Sequence, residues 1–185
     1  AVSPASANFP LLLENFDALP LGPSPEEDPA ALNAWNGVGP AGWVVNNAGV
    51  PGLGNPANDG VRDWAGWAFV DKEHWLNADD QNRSFFTKAS GNVMVADPVE
   101  WTDANVSPQE LYDTFVTTKV INIPAGTPAG KVKLAFDSSW RPEGQDDLGN
   151  INNQTATIKV SYNGGATMAP APSLPLTKQL DSNYY

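Results

Sequence analysis

The chain has 185 residues, of which 41% are hydrophobic and 10% aromatic, and it contains no cysteine. These values fit one folded domain and exclude a disordered tail, a disulfide framework, a zinc–thiolate site and a cysteine nucleophile. The formal net charge of −11 argues against nucleic acid and anionic membrane surfaces as partners, because like charges repel. No apolar run is long enough to span a bilayer, so we expect no membrane insertion.

Short segments with strand character recur along the chain. Their side chains alternate between apolar and polar types or are rich in β-branched residues. In chain order, the predicted strands cover residues 11–16, 43–46, 67–70, 92–96, 115–123, 131–137 and 157–162. In the sixth of these, Val132, Leu134 and Phe136 share one face.

Helices are predicted to be few and short. One runs from Asp28-Pro29 to Trp35, a second covers residues 71–77 with Asp71 as its N-cap, and a third begins at the capping box Ser107-Pro108-Gln109-Glu110. None is long enough to organise the fold.

Turn residues separate these segments. The last predicted strand carries Ile158, Val160 and Tyr162 on one face and ends at Asn163-Gly164-Gly165, which is typical of a hairpin turn. Many short strands joined by glycine- and proline-rich turns indicate an all-β, antiparallel sandwich or barrel. We expect a linker at residues 1–10, one β-sandwich domain at 11–168 and an extended segment, either linker or edge, at 169–185.

Seven tryptophans give the first clue to function. An indole beside polar side chains suits sugar binding, because its ring stacks on a pyranose face while amides and carboxylates bind the hydroxyl groups. The candidates for ligand binding are Trp140 with Arg141, then Trp75 and Trp64. Packing in the core is the competing interpretation for each indole.

Acidic residues gather near predicted strand ends and could hold a structural calcium ion, which takes six to eight oxygen ligands. The candidate ligands are Glu14, Asp17, Asp137 and Asp146. The spacing does not match an EF-hand loop, and a solvated acidic surface explains the same residues.

Catalytic motifs are scarce. The single histidine, His74, has no neighbouring nucleophile, and the sequence contains no phosphate-binding loop, dinucleotide fingerprint or nucleophile elbow. We therefore expect no enzymatic activity. A small glycan-active enzyme remains the alternative, because glycoside hydrolysis needs only two carboxylates.

Two segments resemble jelly-roll modules of the cleaved-adhesin and MAM-like kind, namely Leu13-Glu14-Asn15-Phe16-Asp17 with the later Gly42-Trp43, and the hairpin Ile158 to Thr167. Residues 65–75 and 136–143 in addition resemble accessory domains of secreted, multidomain bacterial hydrolases. The resemblance implies a jelly-roll β-sandwich, often calcium-bearing, with metal-site acids near Glu14 or Asp17 and at Asp137. It also implies an extracellular or periplasmic location beside a hydrolase domain.

These observations together predict a noncatalytic binding module of a secreted bacterial protein, with a polysaccharide or other glycan as its ligand. A structural or adhesive domain that packs on neighbouring domains is the second hypothesis. Its mark would be an exposed apolar surface in place of a tryptophan-lined groove.

Overall fold

The computed structural model describes residues 10–24, 33–50, 64, 66–78, 81–98, 112–140 and 155–176. The elements within these ranges are β1 (Trp35–Asn36), β2 (Val44–Gly49), β3 (Ala68–Asp71), α1 (Lys72–Ala78), a 3-10 helix (Arg83–Phe85), β4 (Asn92–Val95), β5 (Asp113–Thr117), β6 (Ala156–Val160) and β7 (Ala169–Leu176). Every strand pair is antiparallel. The predicted all-β class is confirmed at this level.

The chain divides into two compact units. The first comprises Ala1–Ser84 and Ala89–Val132, and the second comprises Phe85–Lys88 and Lys133–Tyr185. The first unit holds the sheet β1-β3-β4 and the pair β2-β5, whereas the second holds the pair β6-β7. The division falls within the predicted strand 131–137, where the structure has no strand.

The core of the first unit lies around β3. Its residues Ala68, Phe69 and Val70 are buried in succession, so both faces of this strand are covered. Strand β4 alternates instead and buries only Val93 and Val95. β3 is also the middle strand of its sheet, between β1 and β4.

Residues 11–16 are not a strand, contrary to the prediction, although their exposure alternates with a period of two. The chain turns at Phe16, which has a φ of 65°, and the amide of Leu19 donates to the Phe16 carbonyl. The turn places the Phe16 ring 5.2 Å from that of Phe69 and 5.7 Å from that of Trp43. The alternation therefore reflects packing over β3 without a hydrogen-bonded ladder.

Strands β2 and β5 form a pair that begins at Val44 opposite Thr117 and contains a register shift between Asn46 and Gly49. Strand β5 ends at Thr117, well short of the predicted Ile123. In the described part of the chain, residues 118–123 belong to no ladder.

Helix α1 follows β3 directly, and its predicted cap is confirmed. The backbone amide of His74 donates to Asp71 Oδ1 over 2.9 Å, which satisfies one of the open amides of the first turn. The helix predicted from Asp28-Pro29 to Trp35 is wrong at its C-terminal end, because Trp35 lies in strand β1. The capping box at 107–110 lies outside the described residues.

The second unit contains the hairpin β6-β7, with Ala156 opposite Leu176 and Val160 opposite Ala169. The C-terminal segment expected to be extended is thus an actual strand over its first eight residues. Three of these are prolines, at positions 170, 172 and 175. Tyr162 lies beyond the end of β6 and is 81% exposed, so it does not share a buried face with Ile158 and Val160.

Candidate functional site

A buried arginine organises the first unit. Arg83, on the 3-10 helix, is 4% exposed, and its Nε donates to Asp97 Oδ2 over 2.9 Å. Its Nη1 donates to the carbonyl of Trp75 on α1 over 2.7 Å. Asp97 follows β4, so this one guanidinium ties α1 to the end of the sheet. Burial of a charge requires such pairing, because an isolated guanidinium would lose its hydration without compensation.

Two indoles enclose this ion pair. The guanidinium carbon of Arg83 lies 5.2 Å from the ring centroid of Trp75 and 5.7 Å from that of Trp64. Trp75 Nε1 donates to Asp97 Oδ2 over 3.0 Å, and the ring of Trp64 meets that of His74 edge to face. The cluster combines the attraction of the Arg83 cation to the two indole rings with hydrogen bonds to one shared oxygen of Asp97. Both interactions are stronger because water is excluded.

The cluster changes the interpretation of two predicted ligand residues. Trp64 is fully buried and Trp75 is 8% exposed, so neither ring offers a face on which a sugar could stack. Both indoles contribute to the core of the first unit instead. His74 is half-buried, and its ring contacts that of Trp64.

Tyr112 connects the cluster to β5. Its hydroxyl oxygen accepts the amide of Gly66 over 2.7 Å and donates to the carbonyl of Asp97 over 3.5 Å. Burial raises the pKa of Tyr112 well above its ordinary value, the Gly66 amide opposes this shift, and the charge of Asp97 adds to it. Tyr112 is therefore a neutral, structural hydroxyl at physiological pH.

A second set of hydrogen bonds joins the two sheets of the first unit. Asn47 on β2 accepts the amide of Trp67 over 3.0 Å and donates to the carbonyl of the same residue over 3.2 Å. Thr114 on β5 also accepts the Trp67 amide and is hydrogen bonded to the Asn47 side chain. Polar side chains of β2 and β5 thus hold the backbone of Trp67, the residue that precedes β3.

The predicted metal ligands of the first unit serve local turns. Glu14 Oε1 accepts the amide of Phe16 over 2.8 Å. Asp17 Oδ1 accepts the amide of Asn92 over 3.0 Å, and its Oδ2 accepts the side-chain amide of Asn15 over 2.7 Å. Glu14 thus holds the turn at Phe16, and Asp17 anchors this N-terminal turn to the start of β4.

In the second unit, Asp137 is exposed and pairs with Lys88 at 3.4 Å. Asp146 lies outside the described residues. Within the described ranges, no three acidic, histidine or cysteine side chains gather into a group that could hold a metal ion.

Trp140 is the remaining ligand candidate that the structure describes. It lies in the second unit at the end of residues 133–140, where it is half-buried, and its neighbour Arg141 lies outside the described residues. Unlike Trp64 and Trp75, it retains some accessible surface. It is therefore the described candidate that a sugar could still approach.

Large apolar side chains are exposed in both units. In the first unit, Val120 is 72% exposed, and Ile121 and Ile123 are exposed beside it. In the second unit, Leu134 is 65% exposed, and Phe136 is also exposed. Large apolar side chains grouped on a surface mark contact sites for other molecules.

Sequence reasoning missed Asp97, Tyr112 and Asn47. The available signal was Arg83, since a guanidinium between aromatic-rich segments requires a carboxylate partner when buried. Nothing in the local sequence indicates which of the many acids supplies it, because the partners are 14 residues apart and meet only through folding.

No helix within the described ranges has the length and apolar character needed to cross a membrane. No family model matches the chain, and neither a curated protein nor a solved structure is similar to it at a significant level.

Proposed function

We propose that the chain is a noncatalytic module of a secreted bacterial protein and that it binds a neighbouring protein domain through unpaired, strand-like segments. The observation that supports this proposal is the exposure of large apolar side chains in two segments that pair with no strand within the described ranges. We define the first binding segment as residues 118–123 and the second as residues 133–137.

The first binding segment continues β5 beyond its last paired residue, Thr117. It is rich in β-branched residues, which favour strands. No strand within the described ranges pairs with it, and its side chains Val120, Ile121 and Ile123 are exposed. An extended backbone with free polar groups and apolar side chains is the arrangement that accepts an added strand.

The second binding segment has the same character within its own unit. Leu134 and Phe136 alternate with Lys133, Ala135 and Asp137, so an extended backbone would direct the large apolar side chains to one face and the charged side chains to the other. Lysine on an unpaired strand also opposes indiscriminate edge pairing. Both features favour a partner strand with the complementary pattern.

Charge defines that partner further. The chain has only 10 lysine and arginine residues, and Lys119 and Lys133 lie within the binding segments. At the second binding segment, an extended partner in which apolar residues alternate with aspartate or glutamate would place its apolar face on Leu134 and Phe136 and an acid beside Lys133. Such charge pairing gives specificity and register more than affinity.

The unpaired segments also bear on the fold. We propose that the antiparallel sheets belong to a β-sandwich of the jelly-roll type, in which the binding segments supply strands once a partner pairs with them. The burial of β3 on both faces supports a layered architecture. A sheet completed by another domain would also remove the exposed apolar side chains from water.

A glycan is the second candidate ligand, and the position of Trp140 supports it. This indole is half-buried at the end of residues 133–140, whereas the two indoles around Arg83 are sealed in the core. One indole with partial access would give weak stacking on a sugar ring.

A peptide titration tests the main proposal. Synthetic peptides alternating valine with glutamate, valine with lysine, or carrying a scrambled valine–glutamate order are added to the labelled protein, and amide NMR shifts are recorded. We expect the valine–glutamate peptide alone to shift residues 118–123 or 133–137. Val120→Lys and Leu134→Lys should weaken this binding.

Val44→Lys is the matched control, because Val44 is 59% exposed but lies in the paired strand β2. Binding that Val44→Lys and Val120→Lys weaken equally would contradict the proposal, as would equal binding of all three peptides. Binding of laminarin, cellulose, xylan or alginate that Trp140→Ala abolishes would establish the glycan candidate instead.

A further inference from the structure

We infer that Asn163 is a site of self-modification, at which the backbone nitrogen of Gly164 attacks the Asn163 side-chain amide and converts it, with water, into aspartate and isoaspartate. The site is the turn between β6 and β7 and does not depend on the proposed function. Three features of the turn support the inference: an unengaged nucleophile, a polarised carbonyl and access to water.

The attacking nitrogen is unengaged. Within the described ranges, Gly164 N makes no hydrogen bond, whereas the following amide, that of Gly165, donates to Ser161 Oγ over 2.7 Å. Gly164 has a φ of 67°, and no heavy atom lies within 4 Å of the position that a Cβ would occupy. No side chain therefore hinders approach of this nitrogen to Asn163, and glycine permits the backbone rotation that the attack requires.

The carbonyl under attack is polarised by two donors. Asn163 Oδ1 accepts the hydroxyl of Ser161 over 2.8 Å and the backbone amide of Thr167 over 2.9 Å. When the nitrogen adds to Cγ, negative charge develops on this oxygen. Two donors already aimed at it stabilise that charge, as the donors of an oxyanion hole do.

Water reaches the turn freely, because every residue from Tyr162 to Ala169 is exposed. The step balances without any oxidant or cofactor. The bond from Gly164 N to Asn163 Cγ forms as the nitrogen gives its proton to solvent, and the bond from Cγ to Nδ2 breaks as Nδ2 takes up a proton and leaves as ammonia. Water then opens the resulting cyclic imide at Cγ, giving aspartate, or at the main-chain carbonyl, giving isoaspartate.

The turn accommodates the aspartate product. Asn163 Nδ2 donates to Thr167 Oγ1 over 2.8 Å, and a carboxylate oxygen in its place would accept from the same hydroxyl after a rotation. The donors Ser161 Oγ and Thr167 N keep their acceptor. Isoaspartate instead inserts a carbon into the main chain and breaks these contacts. Either product adds one negative charge to a chain of net charge −11.

An internal reference exists at Asn36, which also precedes a glycine. Asn36 is half-buried in β1, where it pairs with Phe69, and its Nδ2 donates to the carbonyl of Pro20 over 3.1 Å. The strand pairing restricts the rotation that ring closure requires. We expect Asn163 to convert on the order of tenfold faster than Asn36, a difference of about 1.4 kcal/mol in the barrier.

The test is incubation of the whole protein in mildly alkaline buffer, followed by peptide mapping with mass spectrometry. The same incubation in concentrated urea gives the rates for the unfolded chain. We expect Asn36 to convert much more slowly in the folded protein than in urea. Asn163 should convert at least as fast in the folded protein as in urea. Equal protection of both residues by folding would overturn the inference.

Variants separate the turn chemistry from mere exposure. Ser161→Ala removes one donor from Asn163 Oδ1 and should slow conversion roughly threefold to tenfold. An unchanged or faster rate would overturn the assigned role of the turn. Gly164→Ala should nearly stop conversion of Asn163. Gly126→Ala is the control, because Gly126 also has a positive φ, of 81°, and open space around it, but follows Ala125. This variant should leave the rate unchanged. Circular dichroism verifies that each variant is folded.

Discussion

Arg83 and Asp97 meet inside the first unit, where Nε lies 2.9 Å from Oδ2 and the Trp75 indole donates to the same carboxylate oxygen. Each charge depends on the other, because neither side chain is accessible enough to recover its hydration. This mutual dependence determines how the protein should respond to substitution.

Asp97→Ala should lower the free energy of unfolding by about 3–5 kcal/mol, because it leaves the Arg83 guanidinium buried without a counter-charge. Urea denaturation followed by tryptophan fluorescence measures this change. Lys88→Ala removes one partner of the exposed pair with Asp137 in the second unit and serves as the control. We expect it to change stability by less than about 0.5 kcal/mol. Equal effects of the two variants would refute the organising role of Arg83.

Tyr112→Phe should lower the free energy of unfolding by about 1–3 kcal/mol at neutral pH, since it leaves the Gly66 amide without its acceptor. The folded-state pKa of Tyr112 is raised, so the unfolded chain releases the phenol proton first as pH rises. The stabilisation is therefore present below about pH 10 and declines above it. The free energy of unfolding, measured by urea denaturation at several pH values, should fall less steeply above about pH 10 for Tyr112→Phe than for the unsubstituted protein.

Asp71→Ala should destabilise the protein by about 1 kcal/mol, because it removes the acceptor for the first-turn amide of His74. Asp71→Asn retains a side-chain oxygen and should lose less. Thermal unfolding monitored by circular dichroism distinguishes the two variants. The same melting temperature for both would mean that the side-chain oxygen does not act as a cap.

Chelation of calcium should leave the melting temperature unchanged. Glu14 and Asp17 already accept hydrogen bonds from backbone and side-chain amides, and Asp137 pairs with a lysine. Thermal unfolding is measured in EDTA, then after addition of excess calcium, with magnesium as the control for ionic strength. A fall of several degrees in EDTA that calcium alone reverses would establish a metal site that these contacts do not reveal.

Gly91→Ala should destabilise the junction between the N-terminal turn and β4. Gly91 has a φ of 65°, and an added Cβ would lie well inside contact distance of Asp17 Oδ1. The substitution therefore disrupts the bond from Asp17 to the amide of Asn92 and strains the backbone, for a loss of about 1–3 kcal/mol. Gly130→Ala, with the same φ sign but open space around it, should cost less in the same urea denaturation experiment.

Local chemistry explains which elements could be predicted from the sequence. The strands at 67–70, 92–96 and 157–162 and the Asp71 cap depend on neighbouring residues, and the structure has an element at each. The predicted strand 131–137 has equally regular alternation, but alternation cannot supply a partner. A ladder requires a second strand from elsewhere in the chain, and none of the described strands pairs with this segment.

The candidate site shows the same limit for side chains. Trp64 and Trp75 stand beside polar residues in the sequence, which suited a surface role, yet both enclose the guanidinium of Arg83. An indole next to charged residues serves equally well for sugar stacking in water and for cation–π packing in a core. Only the fold decides between these roles, because burial depends on residues distant in sequence.

The prolines of β7 also constrain how this protein can associate. Residues 170, 172 and 175 carry no amide hydrogen, so β7 has three fewer backbone donors than a proline-free strand of the same length. Within sheets, proline is found at edge strands, strand starts and bulges, so these residues suit β7 to the margin of a sheet. A strand that is short of donors is a poor template for the addition of further chains.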